Sequence, residues 1–187
     1  MNILKTWLLS SQKKQGDIIT YIKANKCFNE LLSWVVKHNY QGACHDISIT
    51  LHVLLKEVGL ESDICIGEVK VSDTEYFDHS WVEVDGDIFD IAVCAPNFPA
   101  YAHAPIYKGE SLSGSISFGY GIGSPAGLDD MTKFVLNSDI NQYLEQHPNG
   151  ADFIWGLIKK VAKSCGIKLN KAKLREAYGQ TKRIYKS

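Results

Sequence analysis

Apolar residues recur at helical spacing towards both ends of the chain. From Ile3 to Val36 they return every three or four positions, which predicts helix over residues 1–38. The same spacing predicts helices nearer the other end, over residues 129–147, 151–165 and 170–186. Asn170 stands where the last of these would begin, and its side chain is a candidate N-cap for the free backbone N–H groups there.

A separate apolar stripe begins beside Cys44. It predicts a helix from Cys44 to Val58, because its members fall on one helical face: Ile47, Leu51, Leu54, Leu55 and Val58. Residues 39–42 break the pattern before it, and Gly59 follows as a natural C-terminal stop. Cys44 is therefore predicted to lie at the N-terminus of a helix.

The middle of the chain alternates in the manner of β-strands. Residues 63–71 are rich in β-branched residues and predict a strand, with Gly67 interpreted as a bulge. Residues 72–77 read as a polar loop. Residues 79–84 and 87–92 then predict a hairpin, since the Asp85-Gly86 pair between two β-rich runs is typical of a type I′ turn.

The two-residue turn fixes which side chains share a face of this hairpin. It sets Trp81 opposite Asp90, and alternation along each strand puts His79 and Trp81 on the same face as Asp90. His79 and Asp90 are then diagonal neighbours, with Cα atoms within about 7–8 Å. Asp87 falls on the opposite face. The geometry selects Asp90 over Asp87 as the partner of His79, and a register slip of one residue would reverse that choice.

The chain after Cys94 loses regular periodicity. Prolines at 96, 99 and 105 predict irregular backbone, and five glycines follow between Gly114 and Gly127. This glycine-rich stretch lacks the Lys-Ser/Thr ending of a phosphate loop, and its Gly121-Ile-Gly123 fragment follows no clear strand. We interpret it as a loop bordering the functional site, and we predict no nucleotide cofactor.

Length and composition suit one α+β domain. The chain has 187 residues, 45% of them hydrophobic and 11% aromatic, enough for a sizeable core. No window approaches the roughly 20 apolar residues that would span a membrane. The first eleven residues are interrupted by Lys5 and lack a small-residue cleavage site, so we predict no signal peptide.

Five cysteines, at 27, 44, 65, 94 and 165, are too widely spaced to suggest a disulfide framework. An odd number without a CxxC pair indicates reduced thiols in a cytoplasmic compartment. Four of the five fit the pattern of small buried apolar residues, Cys65 and Cys94 most clearly.

Charge is unevenly distributed although the net charge is only −1. Residues 156–187 contain ten lysines or arginines and a single acid, Glu176. We interpret this basic segment chiefly as a solvated helix face, and docking of an acidic partner is a further hypothesis. Nucleic acid is not predicted, because no aromatic–basic interleaving, zinc finger or helix-turn-helix pattern is present.

Three residues have the character of a thiol-nucleophile site. A thiol becomes reactive when a helix N-terminus and an imidazole lower its pKa, and Cys44 and His79 supply both. Asp90 would hold the imidazole in the required orientation. The Cys44 backbone N–H is a candidate oxyanion donor, and Gln41 is another.

Two more residues are candidate substrate contacts, His45 and Trp81, although core packing is the favoured interpretation of Trp81 and a polar helix face also explains His45. Cys44, His45 and His79 have side chains that can bind zinc. Because the ligand spacing of zinc sites is missing, we predict no metal and no other cofactor.

These residues also carry a resemblance. The Gly42-Ala43-Cys44 start of an apolar helix, then a strand, then the run HSWVEVDG from His79, then Phe89-Asp90, resembles the transglutaminase-like cysteine-enzyme superfamily. Within it the pattern is most similar to the cysteine peptidases that cut leader segments from lasso peptides, with Ser80 where alanine is usual. Arylamine N-acetyltransferases share the order Cys, His, Asp, but their Arg-Gly-Gly-x-Cys start is absent.

The resemblance implies a papain/transglutaminase-like α+β fold. In it, the nucleophile helix packs on an antiparallel sheet, with extra N- and C-terminal helices. Residues 1–150 would form the catalytic domain, with its core motif in 38–95, and residues 151–187 a basic helical extension packed on it.

The implied function is that of a bacterial cysteine hydrolase, a peptidase or amidase acting on a peptide or protein through an acyl-enzyme. Acyl transfer by the same triad, such as transglutamination or deamidation, is the alternative. A third hypothesis is a non-catalytic binding module.

Overall fold

The fold combines seven helices with a mixed sheet in the part of the chain that our computed structural model describes, residues 2–115 and 118–187. The helices are α1 (Ile3–Lys14), α2 (Ile19–His38), α3 (Cys44–Glu57), α4 (Asp130–Asn137), α5 (Ile140–Glu145), α6 (Phe153–Ser164) and α7 (Lys171–Tyr178). The strands are β1 (Asp63–Lys70), β2 (Tyr76–Val84), β3 (Asp87–Phe89), β4 (Ile106–Tyr107), β5 (Glu110–Ser111), β6 (Gly119–Tyr120) and β7 (Ile184–Lys186). Met1 and two residues of the predicted glycine-rich loop, 116 and 117, lie outside the described residues.

The main sheet is built around the antiparallel pair β1 and β2. Its order is β3-β2-β1-β6, and β7 joins the β6 side of β1 as a parallel strand. β4 and β5 form a separate two-stranded ribbon. The chain therefore has the predicted α+β fold with a largely antiparallel sheet.

The hairpin of β2 and β3 confirms the predicted turn and register. Asp85 and Gly86 both have positive φ, 52° and 86°, as a type I′ turn requires. Val82 pairs with Phe89, as the two-residue turn predicts.

The second strand of the hairpin is shorter than predicted. β3 ends at Phe89, and a 3₁₀ turn occupies Ala92–Cys94, where residues 87–92 were predicted to continue as strand. The physical reason is a change of partner, since the backbone of Asp90 exchanges hydrogen bonds with Ile106 at 2.9 and 2.8 Å. Asp90 therefore stands where the chain leaves β2.

Residues 3–38 and 129–147 are helical with interruptions. Residues 15–18 separate α1 from α2, and Ser138 and Asp139 separate α4 from α5. At the second break Asp139 forms a capping box with Gln142, which satisfies the free N–H groups of a new helix start. Apolar periodicity continues across the first break because Leu8 of α1 packs against the core cluster that contains Leu31 of α2.

The prediction of helix over residues 170–186 is wrong in its second half. Asn170 caps α7 as predicted, accepting from the N–H groups of Ala172 and Lys173. The helix ends at Tyr178, and β7 then pairs in parallel with β1 from Cys65 to Gly67. A long-range partner strand decides the conformation of these last residues, and local periodicity carries no sign of it.

Gly67 marks a close backbone approach, not the bulge that was predicted. The β1–β2 ladder passes through Gly67 without interruption, with His79 as its partner. A Cβ at Gly67 would lie 2.3 Å from the backbone carbonyl oxygen of Lys186. Only glycine lets β7 come this near to β1.

Helix α3 lies at the centre of the molecule. Every residue from Asp46 to Leu55 is buried, so the helix is enclosed on all sides, not only along the predicted stripe. It packs between the sheet and the helices α2 and α6. Within the described residues, no helix is both long and apolar enough to cross a membrane.

We predict that Gly67→Ala destabilises the protein by about 1–3 kcal/mol, because the added methyl group must push β7 away from β1. Gly156→Ala is the matched control. The same methyl group inside α6 would meet only the flexible end of Lys171, at 3.7 Å, and should stabilise the protein by about 0.5–1 kcal/mol. Urea unfolding of both variants measures the difference. Equal effects of the two substitutions would contradict the role assigned to Gly67.

Candidate active site

Cys44 is the first residue of α3 and is only partly buried. The segment before it is held against residues 95–97, where the Gly42 N–H donates to the Ala95 carbonyl at 2.8 Å. Gly42 has φ 64°, and a Cβ there would lie 1.8 Å from the Asn97 side-chain oxygen. Gly42 is therefore required both for the turn and for the close contact that positions Cys44.

His79 and Asp90 form a buried hydrogen-bonded pair. His79 Nε2 lies 2.7 Å from Asp90 Oδ2, and the two residues are 4% and 2% exposed. The other carboxylate oxygen, Oδ1, accepts from the Val93 N–H at 3.2 Å. The structure thus brings together the two residues that the hairpin register selected, and Asp87 remains exposed on the far side.

Cys44 and His79 affect each other's protonation. Burial alone would raise the pKa of the Cys44 thiol, but the charge and hydrogen bonding of His45 and His79 hold that pKa well below its ordinary value. Burial alone would lower the pKa of His79, but the Asp90 carboxylate and the Cys44 sulfur raise it to about 10. Both shifts favour a thiolate beside an imidazolium, which is the reactive state of a thiol nucleophile.

Tyr120 is a site residue that the sequence did not single out. Its hydroxyl donates to Asp90 Oδ2 at 2.6 Å, and its ring packs against those of His79 and Trp81. Burial and the Asp90 charge raise the pKa of Tyr120 well above its usual range, so the hydroxyl keeps its proton and remains a donor. The sequence indicated only that the glycine-rich stretch would border the site.

The lesser site candidates occupy different positions. His45 lies beside the sulfur, with Nδ1 3.9 Å from Cys44 Sγ and 2.7 Å from Ser80 Oγ. Trp81 is buried in the core and donates its indole N–H to Glu83, so it is not placed to meet substrate. Gln41 is exposed. None of His45, Trp81 and Gln41 is among the residues that line the cavity at Cys44.

A buried polar network holds the first turn of α3. Asp46 accepts hydrogen bonds from the hydroxyls of Tyr40 and Tyr143 and from His147 Nε2. His147 can donate through Nε2 because its Nδ1 accepts from the Asn149 N–H. The buried carboxylate is thereby satisfied, and helices α3 and α5 are joined next to the nucleophile.

A buried arginine from the C-terminal segment extends this network. The Arg183 guanidinium lies 5.0 Å from the centre of the Tyr143 ring and donates to the carbonyls of Val135 and Ser138. Lys186, from the same segment, pairs with Glu83 at 2.7 Å. Part of the basic segment is therefore used inside the molecule, behind the site.

A cavity of about 410 Å³ opens at Cys44 and His79. Its lining combines the Cys44 thiol and the His79 imidazole with small residues, four aromatic rings and two carboxylates: Gly42, Ala43, Cys44, Tyr76, Phe77, Asp78, His79, Ala92, Ala95, Pro96, Asn97, Phe98, Tyr101 and Asp129. Across residues 2–115 and 118–187, no three His, Cys, Asp or Glu side chains are grouped to hold a metal ion.

The comparison with protein families identifies the part of the chain that carries this site. Residues 10–98 match the family model Transglut_core3, described as the transglutaminase-like superfamily. This region is therefore similar to the transglutaminase-like superfamily. The match indicates a family of cysteine-triad enzymes, and the matched region includes Cys44, His79 and Asp90 but stops before Tyr120. Similarity to lasso-peptide leader peptidases stays a prediction. No curated protein and no solved structure matches the chain.

The thiol should alkylate with an unusual pH dependence. We expect the rate of Cys44 alkylation by iodoacetamide to be flat from about pH 7 to 9, because the thiolate is already formed there, whereas an ordinary thiol gains reactivity up to a pKa of about 8.5. Cys65 and Cys94 are internal comparisons, since burial raises the pKa of each to about 12. Mass spectrometry of the alkylated peptides measures each site.

Asp90→Asn should remove the flat profile. Without the carboxylate the His79 pKa falls, the imidazolium is lost near neutral pH and the Cys44 pKa rises, so alkylation near pH 7 slows by about tenfold or more. Asp87→Asn is the matched control on the opposite face of the same hairpin. Similar profiles for the two variants would rule out the assigned role of Asp90.

Tyr120→Phe should destabilise the protein by about 1–2 kcal/mol, because a buried carboxylate loses one donor. In Asp90→Asn the charge that needs this donor is already gone, so the same change should cost less. Urea unfolding of the two single variants and the double variant gives the coupling energy. Strictly additive losses would show that Tyr120 does not act through Asp90.

Proposed function

We propose that the protein is a cysteine hydrolase that cleaves a peptide or amide bond through Cys44, His79 and Asp90. The observation that carries this proposal is the buried 2.7 Å pair between His79 and Asp90, beside a thiol at a helix N-terminus and at the wall of one cavity. The match of residues 10–98 to the transglutaminase-like superfamily model supports it.

The proposed reaction starts from the thiolate–imidazolium pair. The Cys44 sulfur attacks the carbonyl carbon of the substrate, and the oxygen becomes negatively charged. His79 gives its proton to the departing amine, the C–N bond breaks and a thioester remains on Cys44. Water then adds to the thioester while His79 takes its proton, and the carboxylic acid leaves as the thiolate re-forms.

Asp90 and the backbone N–H of Cys44 stabilise the charged states of this reaction. Asp90 fixes the ring so that Nε2 faces the carboxylate and Nδ1 is free to serve the sulfur. The backbone N–H of Cys44, at the start of α3, is the proposed oxyanion donor. Gln41 is not needed for this scheme, since it is exposed and outside the cavity lining.

Acyl transfer is the second candidate, because an amine can resolve the same thioester in place of water. One feature of the cavity supports acyl transfer: two carboxylates, Asp78 and Asp129, line it and would attract a protonated amine. A binding module is less well supported, because a binding surface does not require the opposed pKa shifts of Cys44 and His79.

The setting of the enzyme is also part of the proposal. A reducing, cytoplasmic compartment would keep Cys44 as a free thiol. Residues 1–150 would form the catalytic domain, with 151–187 as an extension of it. The exposed lysines of α6, Lys159, Lys160 and Lys163, are then the surface on which an acidic partner would dock.

A peptide library tests the activity and separates the two reactions. We expect wild-type protein to generate new peptide termini that Cys44→Ala does not, with losses of about a thousandfold or more. Dansylcadaverine, a primary amine, is added in parallel. Cleaved peptides without amine products support hydrolysis, and amine-coupled peptides support acyl transfer.

The stability of each variant in urea is the control for this experiment. If neither termini nor amine adducts depend on a folded protein with intact Cys44, the proposed enzymatic function is wrong.

A further inference from the structure

The cavity carries two carboxylates that form no ion pair with a lysine or arginine among the described residues. Asp78 and Asp129 both line it, and the Asp129 N–H donates to Asp78 Oδ2 at 2.8 Å. Glu68 lies buried nearby and accepts from the Ser124 N–H at 2.7 Å and from its hydroxyl. Among residues 2–115 and 118–187, no lysine or arginine forms an ion pair with any of these three carboxylates.

This concentration of charge has a measurable effect on Asp78. Burial, with the adjacent charges of Asp129 and Glu68, raises the pKa of Asp78. A carboxylate in this state gains when a cation arrives, because the cation replaces both the lost water and the missing counter-charge. Asp129 is more exposed and stands at the mouth, where it can meet a ligand first.

Aromatic rings line the same cavity. The Phe77 and Tyr101 rings are stacked with centroids 5.6 Å apart, and the Phe98 ring lies 6.1 Å from that of Tyr101. Ring faces attract ammonium and guanidinium groups, and a hydrophobic stem can lie along them. The two carboxylates would repel an anionic group, and a neutral group would lack the charge attraction that a cation gains.

We propose that Asp78, Asp129 and the rings of Phe77 and Tyr101 form an acidic subsite that binds a positively charged group of the substrate, an ammonium or a guanidinium. This inference rests on the proposed function, because the subsite shares its cavity with Cys44 and His79. The subsite is the specificity-determining part of the cavity, and the cation is held a short distance from the bond that reacts.

Thiosulfonates of different charge test the subsite without a known substrate. Cys44 is treated with the trimethylammonium-ethyl, methyl and sulfonato-ethyl methanethiosulfonates, and its rate of modification is followed by mass spectrometry at low salt. We expect the cationic-to-anionic rate ratio at Cys44 to exceed the ratio that the same reagents show with a small free thiol by about tenfold, and this excess to fall at high salt. The ratio cancels any change in the reactivity of the thiolate itself.

Asp78→Asn combined with Asp129→Asn should reduce this ratio to near that of the free reagents. Asparagine keeps the hydrogen-bond acceptors and the N-cap of α4, so folding is preserved. Asp130→Asn is the matched control, because this substitution also removes one negative charge next to Asp129. The Asp130 side chain is fully exposed and lies outside the cavity. We expect it to leave the ratio within about twofold of wild type, as a screened surface charge does.

The outcomes distinguish the subsite from the enzymatic proposal. Fast modification of Cys44 without charge preference, or with a preference that survives the double substitution, overturns the subsite and leaves the nucleophile standing. Slow modification of Cys44 by all three reagents, at the rate of the other thiols, overturns the proposed function itself.

Chloromethyl ketones show whether the bound cation belongs to the peptide that is cleaved or to an amine that accepts the acyl group. Those of lysine and norleucine carry the same four-carbon side chain, with a terminal ammonium in lysine only. Faster inactivation by the lysine reagent, lost in the double variant, assigns the cation to a basic side chain beside the cleaved bond. Equal inactivation, with the thiosulfonate preference retained, assigns it to an amine that accepts the acyl group.

Discussion

The buried contact between His79 and Asp90 is the interaction on which the rest of the site depends. A carboxylate that leaves water must find donors for all of its charge, and Asp90 finds them in His79, Tyr120 and the Val93 N–H. Each donor comes from a different element. β2, β6 and the 3₁₀ turn after β3 must therefore all be in place before this one side chain is satisfied.

That requirement accounts for several irregularities of the sheet. β3 is only three residues long because Asp90 pairs with Ile106 and turns away from β2. β6 is shorter still, yet it lies beside β1 and presents Tyr120 to the carboxylate. If β3 continued as a regular strand, Asp90 would stay paired with β2 and would not turn towards Tyr120.

The sequence could predict the parts of the site that are specified locally. The Asp85-Gly86 turn fixes its own hairpin, and through the register it selected Asp90 from two nearby aspartates. The apolar stripe after Cys44 likewise defined its helix and put the thiol at the start. Tyr120 could not be found in this way, because it is 30 residues from Asp90 and its short strand has no period of its own. The strand β7 was missed for a related reason, since only its distant partner β1 makes it a strand.

The hydrogen bond to Asp90 leaves the imidazole of His79 with a single free nitrogen. In the proposed reaction, this one nitrogen must give a proton to the departing amine in the first half and take a proton from water in the second. A bound peptide could then lie in only one orientation, with its amine half towards the ring and its acyl half towards the helix. Such a cavity would distinguish the two directions of a polypeptide before it recognised any particular side chain.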